Sequence, residues 1–176
     1  MAHGAHIGGF LAGLAVAWVM DRREVGARPS EYAEAKADSA EASAKELLAD
    51  AIARGDMAKA AELYFSLPPE ATRRALSPEH SLALAYWLVR QRQSQAALTV
   101  YRRHLRDYPT GPGLAEAHVG AGLVLLYALG QVAPAYQHFV EALDLRPSPE
   151  VEAQAREALR VIAERQKYAL GRRRAG

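Results

Sequence analysis

The sequence holds no cysteine, which excludes disulfides, thiolate zinc sites, iron–sulfur clusters and cysteine nucleophiles. Aromatic residues make up only 7% of it. β-Branched residues are sparse beside Ala, Leu, Glu and Arg, so the composition argues against a sheet and for helices. Charge of neither sign prevails: 22 Lys and Arg face 20 Asp and Glu, a net +2. That balance gives no electrostatic reason to expect nucleic acid as a partner. Glycine-rich phosphate loops and dinucleotide fingerprints are missing too, so no cofactor is expected. What is present is hydrophobic content, 50% of 176 residues, enough for one folded domain and an appendage and too much for a disordered chain. The expected class is all-α.

Absence of charge is concentrated at one end. From Met1 to Met20 there is no Asp, Glu, Lys or Arg, and the first charges arrive together in Asp21-Arg22-Arg23-Glu24. About 20 apolar residues span a bilayer as one helix, and residues 1–21 are expected to do so. A cleaved signal peptide is one alternative, with Ala15-Val16-Ala17 as its cleavage site. Its leading region, however, would carry two histidines where Lys or Arg belongs. A buried core helix is another, though globular helices of this length are rarely apolar all round. Arg22, Arg23 and Arg28 flank the span on its C-terminal side, and short basic flanks stay cytoplasmic. The expected location is the inner, cytoplasmic membrane, with the rest of the chain in the cytoplasm.

Small residues within that helix fall in strips. Ala5, Gly9 and Gly13 are spaced i, i+4, i+8, and Gly4, Gly8 and Ala12 repeat the pattern one residue earlier. Such strips let a second membrane helix approach closely. His6 shares the side of Gly9 and Gly13, and an ionisable residue in an apolar span is a functional candidate. The run Ala5-His6-x-x-Gly9-x-x-x-Gly13 resembles the last core transmembrane helix of rhomboid intramembrane serine proteases. The resemblance implies that His6 is the general base of a Ser-His dyad and that Ala5, Gly9 and Gly13 pack its helix against the one bearing the serine. None of the eight serines (Ser30, Ser39, Ser43, Ser66, Ser77, Ser81, Ser94, Ser148) stands in the family's G-x-S-G context. The likeness is therefore to the C-terminal part of such a protease, which carries the base without the nucleophile. The alternative is a non-enzymatic scaffold tethered by the same helix.

Residues 22–40 form a charged juxtamembrane spacer, with Pro29-Ser30 as a helix start and an Ala/Glu-rich stretch after it. Beyond them the chain repeats. Arg54–Leu67, Gln91–Leu105 and Leu129–Leu143 each place a polar turn before an Ala and, four residues on, an aromatic: Ala60/Tyr64, Ala97/Tyr101 and Ala135/Phe139. Small and large residues at i and i+4 make the ridge and hole that lock two helices together. Partner helices are expected over Ala44–Arg54, Pro78–Arg90 and Leu114–Leu129, with Ser77-Pro78-Glu79 and Ser148-Pro149-Glu150 as helix starts and Gly55 and Gly130 as stops. The pattern resembles tetratricopeptide repeats, helical hairpins of about 34 residues. Ala115–Pro147 fits best, with Gly122, Ala135, Phe139, Ala142 and Pro147 near the signature positions and one residue inserted before Gly130. The expected domain is residues 41–168: three hairpins and a closing helix from Pro149 with a polar outer face. Residues 169–176 form a basic tail.

In such stacks the first helix of each hairpin lines a concave, peptide-binding face. The candidates here are Leu82, Tyr86, Val89 and Arg90 in one hairpin and Glu116, Leu123 and Tyr127 in the next. These side chains suit a protein or peptide partner that is apolar or aromatic, with an acidic group for Arg90. No metal site is expected: His80, His104, His118 and His138 show no ligand spacing along the sequence and read as structural or surface residues.

Overall fold

A computed structural model of the chain describes residues 31–174, with side chains from 38 to 168. All the regular structure among these residues is helical: α1 Glu31–Ala53, α2 Met57–Ser66, α3 Pro78–Arg90, α4 Ser94–Asp107, α5 Leu114–Leu123, α6 Val132–Asp144 and α7 Pro149–Arg174. The all-α expectation holds. Among the described residues no helix is long and apolar enough to cross a membrane. The expected span at residues 1–21, with His6, Ala5, Gly9 and Gly13, lies outside the described residues.

The helices pair in chain order. α1 packs on α2, α3 on α4 and α5 on α6, while α4 also meets α5, and α7 lies against both α6 and α5. Three short turns make the pairs. In the first, Gly55 takes φ +71° and donates its N–H to Ile52, while Asp56 donates to Ala51, so the last carbonyls of α1 are satisfied. The second turn repeats the same bonds one hairpin later, from Arg92 to Val89 and from Gln93 to Leu88, with Arg92 at φ +58°. Gly130, at φ +66°, serves the third. Helix starts follow the expected chemistry. The Asp56 carboxylate accepts from Lys59 N–H at 3.0 Å, Ser77 Oγ from His80 N–H at 3.3 Å and Ser148 Oγ from Val151 N–H at 3.4 Å.

Two helices run beyond the segments expected for them, Ala44–Arg54 and Pro149 to about residue 168. α1 runs unbroken from Glu31 through the expected spacer limit at residue 40, because its Ala, Glu and Lys residues give the helix no reason to stop. At the other end α7 continues past residue 168 to Arg174, into the stretch expected as a tail. The residue inserted before Gly130 also has a structural counterpart. Val124–Ala128 forms a π-helical turn that continues α5, with Leu129 N–H bonded to Val124 O at 3.1 Å. A π turn absorbs one extra residue without breaking the helix.

The core is built from the expected ridges and holes. Ala60, Tyr64, Ala97, Tyr101, Ala135 and Phe139 are all buried. Two glycines of α5 receive the rings. A β-carbon at Gly120 would lie 2.4 Å from Tyr101 Cζ, and one at Gly122 2.7 Å from Phe139 Cε1. Tyr101 thus seats α4 on α5, and Phe139 closes α6 onto the same helix. α7 turns Ala155, Ala158 and Ile162 inward. Its other side is laced with ion pairs, Arg156–Glu152 and Arg160 with Glu157 and Glu164.

The first hairpin is fastened to the second by polar contacts. Arg103 of α4 places its guanidinium 5.2 Å from the Tyr64 ring centre and 5.8 Å from that of Phe65. The buried Asp107 at the end of α4 accepts from the backbone N–H of Arg74 at 3.3 Å. Tyr108 donates its hydroxyl hydrogen to Leu76 O. The loop between α2 and α3 is thereby held against the second hairpin.

Candidate functional site

α3 and α5, the first helices of consecutive hairpins, touch each other. Their apolar residues divide into two sets. Leu82 and Leu123 are half-buried and pack on the core. A β-carbon at Gly113, the N-cap of α5, would fall 2.5 Å from Leu82 Cδ1. Leu82 therefore belongs to the contact between the two helices. Tyr86, Val89 and Tyr127 stand out, 60%, 38% and 56% exposed. Arg90 and Glu116 are exposed as well. Tyr101, by contrast, is 6% exposed. The seven candidates thus divide into two half-buried supports and five residues reachable from solvent.

Two neighbours, Tyr101 and Arg165, give this surface its electrostatics. The Tyr101 phenol is pushed up to about 12, by burial first and then by the Tyr86 phenol beside it, so the Tyr101 hydroxyl stays protonated at neutral pH. Arg165 of α7 holds its guanidinium 5.7 Å from the Tyr127 ring centre. The closing helix therefore supplies a cation next to the exposed ring, and Arg90 adds an exposed one in the last turn of α3. Sequence reasoning did not find Arg165, because α7 read only as a cap with a polar outer face.

The histidines separate into distinct environments. His80 lies on the surface, its Nδ1 3.1 Å from Ser77 Oγ. His104 is buried with neither ring nitrogen hydrogen-bonded. Burial holds its imidazole below the usual histidine range, against the opposing pull of Asp107, Glu116 and Glu79. His118 and His138, expected as structural or surface residues, are brought together. His118 comes from α5 and His138 from α6, and their Nδ1 atoms are 3.1 Å apart. Glu141 of α6 brings a carboxylate oxygen to 3.0 Å from His118 Nδ1. These three were missed because 20 residues separate the two histidines in sequence. The one local signal was His138-x-x-Glu141, which puts both on one face of a helix.

A scan against protein-family models and a search of curated proteins found no match to the chain.

Proposed function

We propose that residues 41–168 are a tetratricopeptide-like protein-interaction module whose ligand face is the strip formed by Tyr86, Val89 and Tyr127, with Leu82 and Leu123 beneath it. The observation that carries this reading is the contrast among tyrosines. Those on the second helices of the first two hairpins, Tyr64 and Tyr101, are buried, whereas Tyr86 and Tyr127, on neighbouring first helices, are exposed. Aromatic side chains left in water on the first helices of neighbouring hairpins are anchors for a partner, since tyrosine contributes heavily to binding energy. Arg90 and Arg165 flank the strip and select for an acidic group among the ligand's apolar residues.

The test is selection of a displayed random-peptide library on the full chain in detergent. Enriched sequences should combine aromatic or aliphatic residues with at least one acid. Failure to enrich anything over detergent alone, or enrichment of wholly polar sequences, would sink the reading.

For residues 1–21 the proposal follows the Ala5-His6-x-x-Gly9-x-x-x-Gly13 pattern: a membrane helix of rhomboid type, with His6 as the base and the repeats held in the cytoplasm. The chain alone should cleave no transmembrane substrate, because a base without a nucleophile forms no acyl-enzyme. Joined to helices that supply a G-x-S-G serine, it should become active, and His6→Ala should abolish turnover. Full turnover in that variant would leave the non-enzymatic scaffold as the correct description.

A further inference from the structure

The geometry points to a metal site in the third hairpin: His118, His138 and Glu141 bind one divalent late first-row ion, with zinc the best fit, and staple α5 to α6. The three ligand atoms lie within 4.8 Å of one another. Zinc bonds of about 2.0–2.1 Å at a tetrahedral angle put neighbouring ligand atoms about 3.3 Å apart. The observed separations, 3.1 Å between the two Nδ1 atoms and 3.0 Å from His118 Nδ1 to Glu141 Oε2, need only a small widening to admit the ion.

The hydrogen bonding among these groups is incomplete in a way that suits a cation. His118 Nδ1 carries at most one hydrogen and has two partners within reach: His138 Nδ1, donor or acceptor according to its tautomer, and the Glu141 carboxylate, an acceptor. One ion at the centre would accept a lone pair from all three. The donor set fits the ion's chemistry as well, since two imidazoles and one carboxylate match borderline divalent metals better than calcium or magnesium. Burial holds both imidazoles below the usual histidine range. Arg102 acts unfavourably on His138 from α4, and the Glu141 carboxylate offsets that charge. Glu141 is largely exposed, which leaves the fourth position to water.

The fold explains how the residues meet. His138 and Glu141 share a face of α6 at i and i+3, and the hairpin brings α5 alongside in the opposite direction. The π turn at Val124–Ala128 lies between His118 and the connecting turn, so the inserted residue sets which side of α5 faces α6 at His118.

The experiment uses the untagged full chain in detergent, stripped with chelator and titrated calorimetrically with zinc chloride, with cobalt(II) absorption as a second readout. One zinc per chain should bind with micromolar or tighter Kd and raise the melting temperature. Cobalt should show the intense visible bands of a four- or five-coordinate site. His118→Asn and His138→Asn should each weaken binding more than tenfold. Glu141→Gln, at an exposed position that leaves the packing intact, should weaken it measurably. A His3→Asn/His6→Asn variant should bind as the parent does. Absence of zinc binding by the parent, or binding undiminished in Glu141→Gln and His138→Asn, would overturn the proposal. So would a site lost only with His3 and His6.

Discussion

Gly122 faces the fully buried Phe139 ring at a separation that admits no β-carbon. Gly122→Ala would gain about 1 kcal/mol of helix propensity, yet overpacking a closed core costs about 1–3 kcal/mol. The net change should be destabilising, and Phe139→Leu should partly relieve it, as urea unfolding of the single and double variants would measure. Tyr101→Ala empties the contact between α4 and α5 and should cost about 3–5 kcal/mol. Tyr86→Ala and Tyr127→Ala should each cost less than about 1 kcal/mol, because their rings are already in water. His104 gives the protein a pH dependence. Its folded-state pKa is lowered by burial, so the unfolded chain takes up the proton first, near pH 6.5. The stability from the neutral ring is complete above about pH 6.5 and is lost as the pH falls below it. His104→Leu should therefore lose less stability than the parent between pH 7.5 and 5.5, measured as the shift in urea midpoint.

At the scale of elements, the turns show what sequence conveys and what it conceals. Gly55 and Gly130 announced themselves, because a left-handed residue at a helix end is usually glycine. Arg92 holds the same conformation in the second hairpin without that signature, and so the repeat was visible through its Ala/aromatic spacing rather than through its turns. Arg92→Gly should raise stability by about 1 kcal/mol, the cost of a left-handed backbone at a residue with a β-carbon. A rise in melting temperature would show it, with Gly55→Ala falling in the opposite direction. The helix starts at Pro78 and Pro149 were legible for the same local reason: a capping serine followed by proline leaves few other conformations. Where α1 begins and α7 ends was not legible, since runs of Ala, Glu, Arg and Lys suit a helix and a solvated spacer alike. The π turn left one trace, an extra residue before Gly130. The exposure of Tyr86, Val89 and Tyr127 was legible because burial within a hairpin follows helical periodicity, whereas the half-burial of Leu82 and Leu123 depends on the neighbouring helix. The His118–His138–Glu141 cluster was not, because it depends on the register between two helices, which periodicity does not fix.

For the molecule as a whole, the repeats bury their own ridges, and α7 covers the last of them with one apolar side and one charged side. Removal of residues 1–28 should therefore leave a soluble, strongly helical domain that melts cooperatively, as circular dichroism would record. The intact chain should stay with membranes through a carbonate wash, its repeats open to protease from the cytoplasmic side. Protection from that side would refute the proposed topology. The central claim concerns the face on which partners bind, and the most direct measurement of it is the affinity of a library-selected peptide for the parent and for a Tyr86→Ala/Tyr127→Ala double variant. The account predicts at least a tenfold loss of affinity in the double variant, with its melting temperature within a few degrees of the parent's. Unchanged affinity, or a collapse of stability like that of Tyr101→Ala, would contradict it.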